Sequence, residues 1–284
     1  QGACSWLYVS ESKHAIIIDP IAEMLPRLEK IVNTQSLNLV AILDTHDHQD
    51  RISARQLYES TFSSMLSDVK AGQLGWPSNI EKLDLMNATL ERIHTPGHSK
   101  DSLSYLVRSK KTGKVLYCFC GDLLLPAGLG NSLLAGGDAL EMANSLRQLN
   151  TFVQNETVIC SGHDYQQCFA INWHAQIQQT PLLSALLSGA MSDAEFVTTK
   201  QENDAHTITH SASLCGFAAT LDEPPLMQVD VTKAKSMLLE SDTCLIDTRE
   251  PYEHDANDLH KFFNLKKGHV INIPLSRMAH ALVT

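Results

Sequence analysis

The chain has 284 residues and is short of several things. Its apolar runs are brief, Ala15-Ile16-Ile17-Ile18 being typical, whereas a bilayer crossing needs about 18 consecutive apolar residues. A membrane span is therefore not expected. No Lys/Arg run occurs, and 22 basic side chains face 32 acidic ones for a formal charge of −10. Duplex nucleic acid, which is bound through a basic stripe and counterion release, is excluded as the main partner. The seven cysteines, at 4, 118, 120, 160, 168, 215 and 244, contain no CxxC pair. Such a set makes a poor disulfide framework and a poor structural zinc site, and it suits a reducing compartment. No signal-like apolar segment follows Gln1, so a cytoplasmic location is expected, or the mitochondrial matrix if a targeting peptide has been removed. There is no internal repeat and no low-complexity tract.

What is present is an ordinary globular balance, 43% hydrophobic and 19% charged, enough to bury a core without staples. The length suits one large domain plus a smaller one, or two equal ones. Histidine is plentiful, with 13 copies. Most sit among polar or turn residues and read as surface or hydrogen-bonded side chains. His46, His48, His98 and His163 have a different setting.

Short runs rich in branched residues at 15–18, 40–43, 115–120 and 157–160 read as buried strands. Apolar residues at 21, 25, 28, 31 and 32 predict a helix, with Pro26 tolerable only in its first turn. Asp138 with Glu141 three residues on starts another helix, and a third is expected over 169–187, interrupted near Pro181. Periodicity fades between 190 and 225, where Pro224-Pro225 reads as a linker, and an α/β pattern resumes with strands at 244–247 and 268–274. The expected organisation is 1–190, then an extension and linker at 191–225, then a smaller unit at 226–284.

Four polar clusters of metal-ligand types stand out, three of them directly after the runs at 40–43, 115–120 and 157–160: Asp44-Thr-His-Asp-His-Gln-Asp-Arg51, His94-Thr-Pro-Gly-His98-Ser-Lys-Asp101, Gly121-Asp122, and Ser161-Gly-His163-Asp-Tyr165. Strand ends side by side at one sheet edge can aim such groups at one point. Imidazole and carboxylate together suit a first-row divalent metal better than calcium. A lone HxH would be a polar loop, but four clusters in this order point to a metal centre.

These motifs resemble the metallo-β-lactamase superfamily, whose signature is T-H-x-H-x-D-H followed by a His, a Gly-Asp and a last His. The resemblance covers roughly residues 1–180. Thr95-Pro-Gly-His98-Ser, Gly121-Asp122-Leu-Leu-Leu and Gly162-His163-Asp-Tyr165 resemble the persulfide dioxygenase branch, related to glyoxalase II. The resemblance implies an α/β fold, an αββα sandwich with the metal in a cleft at the strand ends. The chain departs from the signature at its final His, which is Arg51 here. A guanidinium has no free lone pair and stays charged, so it cannot ligate and it repels a second cation. A single ion is expected.

Carried over by motif, the metal ligands and catalytic residues are His46, His98 and Asp122, holding one Fe(II) per chain, with zinc as the alternative. Two imidazoles and one carboxylate make the facial triad of non-haem iron oxygenases. His48, Asp50, His163 and Tyr165 would surround and orient those ligands. The implied substrates are dioxygen and a low-molecular-weight thiol persulfide such as glutathione persulfide, giving sulfite and thiol. Arg51 pairs with Asp50 or holds an anionic substrate group; Asn131, where this branch carries an Arg, and Lys100 are further substrate-binding candidates. Because the substrate is anionic and the protein carries −10, attraction must be local. Cys120, two residues before Asp122, shares its face on an extended strand and either lines the pocket or is a core cysteine.

The C-terminal segment, Leu245-Ile-Asp247-Thr-Arg249-Glu-Pro-Tyr-Glu253 and Gly268-His-Val-Ile-Asn-Ile-Pro-Leu275, resembles the opening of a rhodanese domain. Neither Cys244 nor Cys215 matches that family's catalytic cysteine, so a partial rhodanese-like module is implied. Two other functions compete with the dioxygenase. One is a glyoxalase II-like thioester hydrolase, and the other a non-catalytic sulfur-carrier protein on the same fold. Homo-oligomerisation is left open.

Overall fold

The computed structural model describes residues 3–48, 53–66, 72–133, 136–165, 168–214, 236, 245–247 and 270–272. The chain divides into two compact units, Gln1–Ala205 and His206–Thr284. In the first, β1 (Trp6–Val9), β2 (His14–Ile18) and β3 (Asn38–Leu43) form one sheet in that order. Helix α1 (Leu25–Gln35) crosses between the parallel strands β2 and β3, and α2 (Arg55–Thr61) follows. The second sheet is built from β4 (Lys82–Asp84), β5 (Ala88–His94), β6 (Leu103–Ser109), β7 (Val115–Gly121), β10 (Val158–Tyr165) and β11 (Cys168–Asn172), in the order β11-β10-β7-β6-β5-β4. Between β7 and β10 come a small hairpin, β8 (Leu124–Leu125) with β9 (Gly128–Leu129), and helix α3 (Ala139–Phe152). Helices α4 (Trp173–Gln179), α5 (Pro181–Ser188) and α6 (Asp193–Leu214) complete the order.

The two-residue period of the strands explains the layering. Ile16 and Ile18 of β2 and Ala41 and Leu43 of β3 pack against Tyr105, Val107 and Phe119 of the second sheet. Their alternates Ala15, Ile17, Leu39 and Ile42 pack on Leu28 and Val32 of α1 and Tyr58 of α2. On the far side, Leu106 and Cys118 meet Met142, Leu146 and Leu149 of α3, Leu183 and Leu186 of α5 and Phe196 of α6. Strands buried on both faces read as unbroken apolar runs, which is why 15–18 is legible as a strand; 115–120 reads the same way although Leu116 and Tyr117 are exposed. The result is helix, sheet, sheet, helix.

Two local expectations need correction, and a third stretch gains an element. The first helix begins at Leu25, after a 3-10 turn at Ala22–Met24, because Pro26 can only sit in the first turn. Residues 168–172 are strand β11, antiparallel to β10, and the helix starts only at Trp173, where the Asn172 side chain caps it by accepting from the Ala175 N–H. The stretch read as an extension holds α6, whose polar, Thr- and His-rich sequence carries no continuous apolar stripe. Among the described residues no helix is long and apolar enough to cross a membrane. In the second unit, β12 (Leu245–Asp247) and β13 (Val270–Asn272) pair in parallel. The remainder of the rhodanese-like reading lies outside the described residues.

Helix α3 is tied to the loop before it. The Asp138 carboxylate accepts from the Leu140 and Glu141 N–H groups at 2.8 and 2.9 Å, and its own N–H donates to the Gly97 carbonyl, beside His98. Asp138→Ala is expected to lower stability by about 1 kcal/mol, measured by urea unfolding.

Candidate metal centre

Three strand ends and one loop build the site. Strand β2 ends at Ile18 and hands over to Asp19, whose φ of 51° turns its carboxylate back under the end of β3. Its Oδ1 accepts from the Thr45 N–H at 2.7 Å, and the Thr45 hydroxyl donates to the same carboxylate at 2.9 Å. With its one proton given to Asp19, Thr45 Oγ1 can only accept from His46 Nδ1–H, 2.9 Å away. The lone pair of His46 is thereby left on Nε2, which faces Asp122 Oδ2 at 3.8 Å.

His98 reaches the same carboxylate from another direction. Its Nδ1 lies 2.8 Å from the Asn131 carbonyl, which can only accept, so Nδ1 carries the proton and Nε2 the lone pair. That Nε2 is 3.7 Å from Asp122 Oδ2. The other oxygen, Asp122 Oδ1, is 2.9 Å from His163 Nδ1. Ligand atoms of His46, His98 and Asp122 all lie within 4.8 Å of one another. Two imidazole nitrogens and a carboxylate oxygen, each held by a partner on its other side, fit a divalent transition metal.

Gly121 makes this close approach feasible. Its φ is 51°, and a Cβ there would stand 2.3 Å from Thr45 Oγ1. The turn also breaks the alternation of β7. Cys120 therefore faces the core rather than the pocket: it is 1% exposed, clustered with Leu106 and Met142, with its thiol 3.5 Å from the Cys160 carbonyl.

Burial holds His46 well below its ordinary pKa, at about 4, with His48 adding to the effect. For Asp122 burial opposes ionisation, but the hydrogen bond and charge of His163 outweigh it and hold the carboxyl at about 2. Both groups thus offer metal-competent forms at neutral pH. The fold keeps His46 neutral while the unfolded chain protonates it near 6.5, so its contribution is complete above that pH and is lost as pH falls towards 4. Metal-free protein is expected to lose up to roughly 3 kcal/mol across this window, seen in urea midpoints at pH 7 and 4.5. A flat profile there would contradict the placement of His46.

His48 joins a different group. Its Nε2 is 3.1 Å from Asp19 Oδ1 and 3.9 Å from Asp44 Oδ1, and its ring centroid lies 4.2 Å from that of His46. Asp44 in turn accepts from the Ser53 hydroxyl at 2.7 Å and from Arg55 Nε at 3.0 Å. Burial and the neighbouring Asp19 raise the pKa of Asp44. Ligand atoms of Asp19, Asp44 and His48 also lie within 4.8 Å of one another, but these carboxylates already accept from Thr45, Ser53 and Arg55. This is an anchoring network beneath His46. A cavity of about 530 Å³ opens beside it, lined by Asp44, His46, Asp47, His48, Ser53 and Arg55.

Of the remaining sequence candidates, Asp50 and Arg51 lie outside the described residues, as does the side chain of Tyr165. Lys100 is exposed, and its carbonyl accepts from His94. Asn131 acts on His98 through its backbone carbonyl, while its side-chain oxygen accepts from the Leu133 N–H. Sequence reading missed Asp19, and it placed Asp44 and Thr45 in the first cluster without their anchoring roles. The signal was available for Asp19, which follows an apolar run just as the four clusters do.

A structure titled as a metallo-β-lactamase from Staphylococcus aureus superposes with a TM-score of 0.60 at 17% identity, covering 99% of this chain and 88% of that one. The chain has the metallo-β-lactamase fold. ETHE1 from Myxococcus xanthus shares this fold with a TM-score of 0.59 at 24% identity, over 76% of this chain and 93% of that chain. No protein-family model matches the sequence. A hydroxyacylglutathione hydrolase of Prochlorococcus marinus is 32% identical over 171 residues, 57% of this chain and 65% of the relative. A probable hydroxyacylglutathione hydrolase of Schizosaccharomyces pombe is 31% identical over 164 residues, 56% of this chain and 62% of the relative. The match thus spans somewhat under two thirds of these relatives' length. In the metallo-β-lactamase fold described here, the His/Asp group lies at the ends of β3 and β7 and on the loop after β5.

Proposed function

We propose that the chain is a mononuclear, iron-dependent persulfide dioxygenase that oxidises the outer sulfur of glutathione persulfide, or a similar small thiol persulfide, to sulfite. The observation that carries this reading is the donor set itself: His46, His98 and Asp122, two imidazoles and one carboxylate within 4.8 Å. That is the donor set of ferrous oxygenases. Arg51, standing where the T-H-x-H-x-D-H motif ends in His, supports a single ion, since a guanidinium offers no lone pair.

The reaction balances as RSSH + O2 + H2O giving RSH + H2SO3. The outer sulfur gives up four electrons, one dioxygen takes them, and water supplies the third oxygen of sulfite. Bound ferrous iron would supply the means to bind and activate dioxygen next to a sulfur ligand. The chain's own part is positioning. Thr45 and the Asn131 carbonyl hold both imidazoles in the tautomer with Nε2 available, and His163 engages one oxygen of Asp122. Arg51 and Lys100 are the cations assigned to the carrier's carboxylates, and the segment 226–284 is assigned as a rhodanese-like neighbour handling sulfur.

A second reading is a zinc-dependent thioester hydrolase, favoured by the hydroxyacylglutathione hydrolases among the relatives. Two assays on the iron-loaded chain separate the readings. With glutathione persulfide, one sulfite per dioxygen consumed is expected. Cleavage of a hydroxyacyl thioester of glutathione, with no oxygen uptake on the persulfide, would overturn the dioxygenase.

A further inference from the structure

Lys200 and Asp204 of α6 are 2% and 5% exposed, and their side chains form an ion pair one helical turn apart. Charged side chains are almost never this buried unless paired, as these are, and stability is a weak reason for keeping such a pair because replacing it with apolar residues is often neutral or stabilising. Docking of α6 does not require it, since Phe196 of the same helix is already fully buried in the core. The free energy of burial also works against the ammonium, lowering the Lys200 pKa while Asp204 opposes that shift.

The second oxygen of Asp204 shows what the pair holds. Asp204 Oδ2 accepts from both the N–H and the hydroxyl of Ser132, each at 2.7 Å, and Ser132 is 3% exposed. Ser132 follows Asn131, whose carbonyl accepts from His98 Nδ1. One residue earlier, the Gly130 N–H donates to the Leu123 carbonyl at 3.2 Å, so the loop is laid on the backbone that carries Asp122. A buried charge on α6 is thus linked to a candidate metal ligand through two consecutive loop residues.

We propose that Lys200 and Asp204 are positioning residues for the metal centre: Lys200 fixes Asp204, Asp204 fixes Ser132, and Ser132 fixes the Asn131 carbonyl that sets the ring plane and tautomer of His98. The inference rests on the reading of His98 as a metal ligand. It assigns a task to a helix that sequence periodicity leaves as an extension.

The test compares wild type with Asp204→Ala, Asp204→Asn and Ser132→Ala, with Val32→Ala on the remote α1 face as a control for lowered stability. Two readouts are followed: titration of metal-free protein with cobalt(II), by visible absorption, and solvent exchange of the His98 ring N–H in the metal-free protein, by NMR. Asp204→Ala is expected to bind cobalt about tenfold more weakly, the scale of losing an outer partner of a metal ligand, and to exchange the ring proton about tenfold faster. Asp204→Asn keeps an oxygen for Ser132 but loses the ion pair with Lys200 that fixes it, so both readouts are expected to fall between those of wild type and Asp204→Ala, and readouts equal to wild type would remove Lys200 from the chain of positioning residues. Val32→Ala is expected to change neither readout. Should Asp204→Ala fail to fold, Ser132→Ala removes one of the two bonds and is expected to move both readouts in the same direction. Unchanged readouts in the folded variants overturn the proposal. If wild type takes up no cobalt, the metal reading falls, and ring-proton exchange still decides whether α6 positions His98.

Discussion

His98→Ala is expected to lose metal binding and turnover together while remaining folded. His98 supplies one of only three ligand atoms in the group, and its Nε2 lone pair is presented because Nδ1–H is committed to the Asn131 carbonyl. Alanine leaves one imidazole and one carboxylate, too few to compete with solvent for a divalent ion. The loss of affinity should exceed the roughly 10- to 100-fold cost of removing an outer partner. The ring is only partly buried, so the fold should survive, which circular dichroism can check. Lys100→Ala, on the exposed rim, is expected to keep full metal content and to raise KM for an anionic persulfide. Full metal content in His98→Ala would show that the ligand set is misassigned.

Gly130→Ala is expected to be the most disruptive single-methyl change in the site region. A Cβ at this position would lie 1.6 Å from the Asp122 carbonyl oxygen. That oxygen belongs to the backbone, so no side-chain rotation relieves the clash, and either the 128–133 loop or the Asp122 segment must move. Overpacking of this kind costs about 3 kcal/mol. Metal affinity should fall with stability, because the loop carries the Asn131 carbonyl and the strand end carries Asp122. Gly113→Ala is the comparison: its φ is 70°, but nothing lies within 4 Å of a Cβ there. It should cost only about 1 kcal/mol of backbone strain and leave metal binding unchanged. Urea unfolding and metal titration of both variants check this, and a Gly130→Ala protein within about 1 kcal/mol of wild type would contradict the loop placement.

The parts of the fold legible in the sequence are those built from short, unbroken apolar runs. Runs such as 15–18 and 115–120 carry no polar alternates, and the polar clusters beyond them mark the site because functional groups follow buried strands. Those clusters alone left His48, Asp50 and His163 equally open; the family resemblance singled out His46, His98 and Asp122, and the structure brings their ligand atoms within 4.8 Å of one another. Where reading failed, the cause was local geometry or backbone chemistry that residue identity hides. Strand parity alone would have set Cys120 beside Asp122, but the left-handed turn at Gly121 separates them and Cys120 takes the core position that a small apolar cysteine favours. The contact of Asn131 with His98 was hidden because it is made by the carbonyl, which every residue owns. Residues 168–172 continue the sheet because β10 offers them an edge, a tertiary effect absent from periodicity. Helix α6 escaped because a buried Lys–Asp pair reads as a solvated face in sequence.

The central claim is one iron held by two imidazoles and a carboxylate. Elemental analysis of the chain purified without air tests it most directly. The account predicts about one iron per chain, lost in His98→Ala. Two zinc ions per chain, with thioester cleavage and no oxygen uptake on a persulfide, would contradict it.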